Sequence, residues 1–365
     1  MGNQRSLAEN LRVVWAIASK DIGDAIRNKT TISIVIGVAF LLLSGQAMPL
    51  LMKLRAVPRA YYYDAGESTW MSDLAMGKEY QLVKVSSQDE LENIVAESSG
   101  ANLGLVIPSD FDRKVEVGEN INLEGLFVHW VNSQDLEEVV ALFERELCEQ
   151  TGAQIEINID GNAVYPGPSA DGQPFMFTLS LVVATITIGA FLAPLLMMEE
   201  KEKHTMEALM VSPASYSQVV LGKTIAGIFY CLTAAAVVLV LNLSMVHQWW
   251  LVILAILGGA FFTVAIGLWV GITFENQVTM NMWLGLILVL LIMPVFLEQI
   301  MGSQFPEVIS AILPWLPSVA MSSVVRMSLS NTLNLDQVVL NLGILLGFTV
   351  LLLAGVVWRI KEMDR

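Results

Sequence analysis

Few residues in this sequence are suited to chemistry. It holds 2 cysteines and 3 histidines in 365 residues, and charged side chains make up only 15%. No HExxH or CxxC motif occurs, so the common zinc spacings are missing. His129, His204 and His247 are expected on different parts of the molecule. A glycine-rich phosphate loop is also absent. Gly222-Lys223-Thr224 has the ending of one, but the glycine needed at 217 is Ser217. Without it the backbone cannot approach a phosphate, and Lys223 leads straight into an apolar run. Lys223 is therefore expected to tolerate Arg or Gln better than a phosphate-binding lysine would. Basic residues are scarce, 20 Lys and Arg against 35 Asp and Glu, which argues against a nucleic-acid partner. The carboxylates read as a solvated surface, with no catalytic acid–base pair.

Apolar length is what the sequence has in abundance. Hydrophobic residues make up 55% and mean hydropathy is +0.60, too high for a soluble globular chain. Apolar runs cover about 31–51, 175–198, 219–246, 249–273, 282–302 and 337–358. Each is near or above the roughly 20 residues that cross a bilayer as a helix. The fold class implied is an α-helical membrane protein with six transmembrane helices. Six spans put residues 1–30 and the tail 359–365 on one side.

Residues 52–174 are different. They hold 22 of the 35 acidic residues and 8 of the 20 basic ones, and so carry nearly all of the net charge of −15. Strand-like stretches (60–64, 81–86, 102–107, 123–131 and 154–159) alternate with helical ones. Ser87 and Glu90 have capping-box spacing at the start of one helix. In another, Leu136, Val139, Val140 and Phe143 share a face. An α/β or α+β domain with its own core follows, and the Gly/Pro-rich stretch 160–174 leads back to the spans.

Lys and Arg near span ends set orientation. Span one is ambiguous, with Lys20, Arg27 and Lys29 before it and Lys53, Arg55 and Arg59 after it. Lys201, Lys203 and Lys223 flank spans two and three, and Arg359, Lys361 and Arg365 follow span six. The opposite-side loops offer only Arg326 outside the large domain. Both termini and 199–218 are thus expected in the cytoplasm, and 52–174 outside. About 30 mostly polar residues before span one make it read as an uncleaved anchor rather than a signal sequence. Cys148, outside, and Cys231, within span three, cannot pair.

Residues 7–29 place Leu11, Val14, Trp15, Ala18, Ile22 and Ile26 on one helical face. With Arg12, Lys20, Arg27 and Lys29 available for lipid headgroups, this reads as an interfacial helix against membrane lipids. Glu298 is the exceptional ionisable residue among the spans, a candidate for a transport path or for the outer interface. Segment 303–336 is apolar but broken by Pro306, Pro314 and Pro317, and it carries Arg326. A re-entrant hairpin in the outer leaflet is expected there.

Residues 199–212 form a short amphipathic helix by pattern. Glu199 and Lys203 pair at i, i+4. Met206, Leu209 and Met210 make an apolar patch, and Pro213 ends the helix. Pattern alone leaves two readings, a mechanical contact or a solvated connector. Here the residues carry a resemblance. "MEEKEKHTMEALMVSPASYSQVVLGK" (198–223) resembles the loop after span two in ABC-2 type transporter permeases. Glu200, Lys201, Glu202, Thr205, Met206, Glu207, Leu209, Val211, Ser212, Pro213, Gly222 and Lys223 match that pattern. His204 departs from it, standing where the family usually has Gly. "ANLGLVIPSDFDRKVEVGE" (101–119) and "LPWLPSVAMSSVVRMSLS" (313–330) are similar to segments of the sodium- and drug-efflux branch.

The resemblance implies a non-catalytic permease of an ATP-driven exporter. Its 199–212 helix would be the coupling helix, with Glu200, Lys203, Met206, Glu207, Leu209, Met210 and Pro213 at the contact. A separate cytoplasmic ABC ATPase subunit would bind ATP and Mg, and this chain would hold no cofactor. A second permease copy, identical or closely related, would complete the path in the inner membrane of a prokaryote. Two rival readings are a membrane-anchored receptor or scaffold acting through its outer domain, and an ion-driven carrier.

Overall fold

The computed structural model describes residues 7–27, 33, 36, 37, 58–73, 80–98, 102–167, 170–202, 216–301 and 306–363. The expected first span, 31–51, lies outside the described residues except for Ser33, Ile36 and Gly37.

The polar segment folds as an α/β domain. Its elements run β1 (Arg59–Asp64), α2 (Thr69–Asp73), β2 (Gln81–Val85), α3 (Gln88–Ala96), β3 (Leu103–Ile107), α4 (Phe111–Val117), β4 (Ile121–Val128), α5 (Ser133–Thr151), β5 (Ile155–Asn158) and β6 (Ala163–Val164). Strand order is β2-β1-β3-β4-β5, with β6 on β4. Among the described residues only the β3–β4 pair is antiparallel. Alternation decides the two faces. Ala60 and Tyr62 of β1 point into a core with Leu103, Leu105 and Ile107 of β3 and with Leu136, Val140, Phe143 and Leu147 of α5. Tyr61 and Tyr63 point the other way, against Leu91 and Val95 of α3. Helices on opposite faces follow from a chain that steps from β1 to β2 on one side and then crosses back past β1 to β3 on the other.

The capping box forms with a shift. Ser87 Oγ accepts from the Glu90 N–H at 3.1 Å, but the Glu90 carboxylate accepts from Ser86 N, one residue earlier than the pattern predicts. The strand expected to 131 stops at Val128, because residues 129–130 turn. The supposed linker 160–174 contains β6.

Five described helices are long and apolar enough to cross a membrane, or up to six if one bent pair counts as a span. They belong to α6 (Gly172–Glu202), α7 (Tyr216–Leu241), α8 (Trp249–Thr273), α9 (Gln277–Met301) and α12 (Leu335–Met363). The bent pair is α10 (Glu307–Ile312), continuing through a 3₁₀ turn at 313–315, and α11 (Pro317–Leu329), at 76°. Pro314 lies in the turn and Pro317 opens α11, where a missing N–H costs nothing. α8 is central and packs on α6, α7, α11 and α12, while α9 packs on α6 and α11. Every residue of α11 except Ser323 is buried. Large apolar side chains of α7, α9 and α12 face outward, among them Val240, Met282, Leu290 and Leu351.

α1 (Leu7–Arg27) lies along α7. Its apolar face divides in two. Val14 and Ala18 are buried with Asp21, whereas Leu11 and Trp15 are 60% and 62% exposed. A broad apolar stripe thus serves protein on one edge and leaves the other open.

Candidate functional site

At the end of α9, Glu298 and Gln299 meet Arg326 of α11. The Arg326 Nη2 donates to Glu298 Oε2 at 2.5 Å, and Nη1 donates to Gln299 Oε1 at 2.9 Å. Gln299 then donates through Nε2 to the Asp171 carboxylate and to the Ala170 carbonyl, in the lead-in to α6. The Arg326 side chain is 10% exposed and that of Glu298 is 27% exposed. Only a guanidinium presents two forked donors to two acceptors in this way. Its Nε, also buried, has no hydrogen-bond partner among the described residues. Glu298 and Arg326 were each legible as a lone charge in an apolar segment. Their contact was not read, although a lone anion and a lone cation at one end of a bundle are costly unless paired. Pro314 and Pro317 stand back from the pair: they set the bend that brings α11 inward.

The other end of the bundle carries two lysines. Lys201, in the last turn of α6, donates to the carbonyls of Gly271 (2.8 Å), Ile272 (3.3 Å) and Phe274 (2.9 Å), and so caps α8. Lys223 is fully buried. Its Nζ lies 3.3 Å from Asp21 Oδ2 of α1 and 3.0 Å from the Leu196 carbonyl of α6. This burial weighs against the expected tolerance to Gln, since a neutral side chain would give up the ion pair with Asp21. Of the sequence-predicted contact residues, Glu200 falls in the last turn of α6. Lys203, Met206, Glu207, Leu209, Met210 and Pro213 lie outside the described residues.

Residues 29–358, nearly the whole chain, match the family described as ABC-2 family transporter protein. The chain belongs to this family. No curated protein matches it. ABC-2 proteins of this kind are membrane-spanning permease components of ABC exporters, generally not catalytic themselves and generally working with an ABC ATPase partner. Membership favours the permease reading over a receptor or an ion-driven carrier.

In this ABC-2 permease the α/β domain touches the bundle through His129, just past β4. The separation expected for His129 and His247 is corrected here, while His204 lies outside the described residues. His129 stacks on Tyr165 at 4.5 Å between ring centroids, and His247 lies 6.1 Å from it and 4.7 Å from Tyr165. The His129 Nε2 lies 3.2 Å from the Met245 carbonyl, in the turn between α7 and α8. A carbonyl only accepts, so Nε2 carries the proton, and the buried Nδ1 has no partner among the described residues. The same turn is fixed to the end of α11, through the His247 and Gln248 N–H groups to the Ser328 carbonyl.

A second proton on His129 would sit on Nδ1, buried and without an acceptor among the described residues. Burial, the largest influence, lowers its pKa from 6.5, the Met245 carbonyl opposes this, and His247 adds to it. The unfolded chain then binds that proton first. The contribution of neutral His129 is complete above about pH 6.5 and is lost as pH falls below that value. Thermal unfolding should therefore fall between about pH 7.5 and 5.5, with a slope of at most about 1.4 kcal/mol per pH unit. His129→Phe should remove that part of the slope. An identical pH profile in the variant would show that His129 does not titrate at this junction.

Proposed function

We propose that this chain forms the substrate path of an ATP-driven exporter and couples to a separate ABC ATPase through residues 199–212. The supporting observation is the arrangement around that segment. It joins α6 to α7, and both helices are fastened at these ends to α1 and α8. A partner that displaces it therefore displaces helices, not a loose connector. Residues 1–30 and the tail lie in the cytoplasm and the α/β domain outside, at the opposite end of α6. Two such permeases, identical or closely related, enclose the path in the inner membrane of a prokaryote. The outward apolar faces of α7, α9 and α12 meet lipid and the second copy. The partner binds ATP and Mg, and this chain binds no cofactor and no nucleic acid. Transport runs outward. The bent α10–α11 unit is a re-entrant hairpin on the outer side. Glu298 belongs to the path there, with Arg326 as the group it must release when α9 and α11 part.

Glu207→Lys and Leu209→Asp test the coupling. The first reverses a charge on the docking face, and the second desolvates an unpaired carboxylate in a small apolar contact. Neither residue lies in a span, so both variants should insert normally. ATPase co-purification should fall about tenfold or more, equivalent to about 1.4 kcal/mol of lost contact. Wild-type recovery of the ATPase by both variants would reduce 199–212 to a solvated connector.

A further inference from the structure

α10 stands apart from the bundle. Every residue from Val308 to Ile312 is exposed, and so are Pro314 and Trp315 in the turn that follows. Among the described residues α10 packs closely only on that turn. Five helical residues point in all directions around the axis. Val308, Ile309, Ala311 and Ile312 therefore leave no polar side except the single hydroxyl of Ser310. A helix that is apolar all round belongs inside protein or inside hydrocarbon.

The depth of the arm follows from α11. Arg326 meets Glu298 and Gln299 at the end of α9. Pro317 lies nine residues back along α11, about 14 Å at the rise of a helix. Met321 covers Gly259, the eleventh of the 25 residues of α8. A hydrocarbon core is about 30 Å thick, so the bend sits roughly halfway through it. The 76° angle then sends α10 sideways, out of the bundle.

The backbone fits the same surroundings. Hydrocarbon offers no partner to an N–H left over at a helix start. Pro306 precedes α10, Pro314 lies in the turn and Pro317 opens α11, and none of them has an N–H. The Ile309 and Ser310 N–H groups both donate to the Pro306 carbonyl, at 2.9 and 3.2 Å.

We propose that α10 and the turn at 313–315 form an arm that lies among the acyl chains of the outer leaflet. The proposal rests on the re-entrant reading above. A second permease copy would cover one side of such a helix, whereas lipid covers every side. Glu307, its one carboxylate, stands at the first position, where the chain arrives from α9. Because the arm links α9 to α11, the parting of Glu298 and Arg326 has to move it through lipid.

The test uses the full-length permease with its ATPase in lipid nanodiscs, and a nitrobenzoxadiazole label on one introduced cysteine. Cys148→Ser removes the half-buried native thiol, and the buried Cys231 stays. Ile309→Cys and Ala311→Cys put the label on opposite sides of α10. Val237→Cys on α7 and Leu351→Cys on α12 set the scale for lipid, the larger quench being used, and Val117→Cys on the α/β domain sets it for water. The probes are phospholipids brominated on their acyl chains and aqueous iodide. Both α10 positions should lose as much fluorescence to brominated chains as the lipid reference, and none to iodide. Brominated chains that quench only one position, or neither, put protein against the arm, either a second copy or span one. That result overturns the lipid contact and leaves the hairpin in the membrane. Quenching by iodide, as at Val117→Cys, puts the arm in water and overturns the re-entrant reading with it.

Discussion

Replacing Arg326 by methionine should destabilise the protein by about 3 kcal/mol, the lower end for breaking a buried ion pair. The lower end applies because the Glu298 side chain keeps some exposure. Methionine fills much of the arginine's volume, so little of the loss is cavity. The cost arises at the partners. Glu298 would be left as a largely buried carboxylate without a cation, and Gln299 Oε1 would lose its donor. A second effect is smaller. Arg326 stands in the last turn of α11, where a cation gains about 0.3–1 kcal/mol from the helix dipole. The pair therefore dominates. Arg326→Met/Glu298→Leu should recover most of the stability, because two apolar side chains often replace a buried pair at no net cost. Thermal unfolding of the wild type, both single variants and the double variant closes the cycle. Equal midpoints for Arg326→Met and the double variant would mean that the pair holds nothing together.

The α/β domain was legible in the sequence because its signals are local. Short strand-like runs marked β1, β2, β3 and β5 nearly to the residue, and the face Leu136, Val139, Val140 and Phe143 marked α5. The spans were legible by composition, but their ends were not. α6 continues to Glu202 and α9 begins at Gln277, because a helix does not stop where its apolar residues do. Segment 303–336 was legible as something broken, since three prolines do not fit one straight helix. The candidate sites were legible only as single residues. Glu298 and Arg326 are 28 positions apart, His129 and Met245 are 116 apart, and Asp21 and Lys223 are 202 apart. No periodicity reports such contacts. Lys223 was the hardest of these, because a lysine at a span end ordinarily reads as a flank in water or headgroups.

Gly189→Ala should be the most damaging single-carbon change in the bundle. Gly189 lies midway along α6, where α8 crosses closest. A Cβ there would stand 2.1 Å from Thr263 Oγ1, 2.7 Å from Thr263 Cβ and 3.0 Å from Cys231 Sγ. Carbon atoms in good contact are about 3.5–4.0 Å apart. Rotating Thr263 does not relieve the clash, since its Cβ is fixed by the backbone and its hydroxyl is already bonded to the Gly259 carbonyl at 2.8 Å. α6 and α8 must therefore separate by roughly 1 Å along their seam, at a cost of about 3 kcal/mol or more. Gly285 of α9 is the control. Nothing lies within 4 Å of a Cβ there, so alanine should leave stability unchanged or raise it by about 0.5–1 kcal/mol. Gly189→Ala/Thr263→Gly should recover part of the loss, because it removes the atoms that the new methyl meets. α6 also carries the α/β domain at one end and segment 203–215 at the other. A seam forced open at its middle should loosen that connection, so limited proteolysis at both ends should quicken in Gly189→Ala and not in Gly285→Ala. Thermal midpoints that match for the two alanine variants would show that α6 and α8 can separate freely, and that the α6–α8 seam is not what stiffens the helix between its two ends.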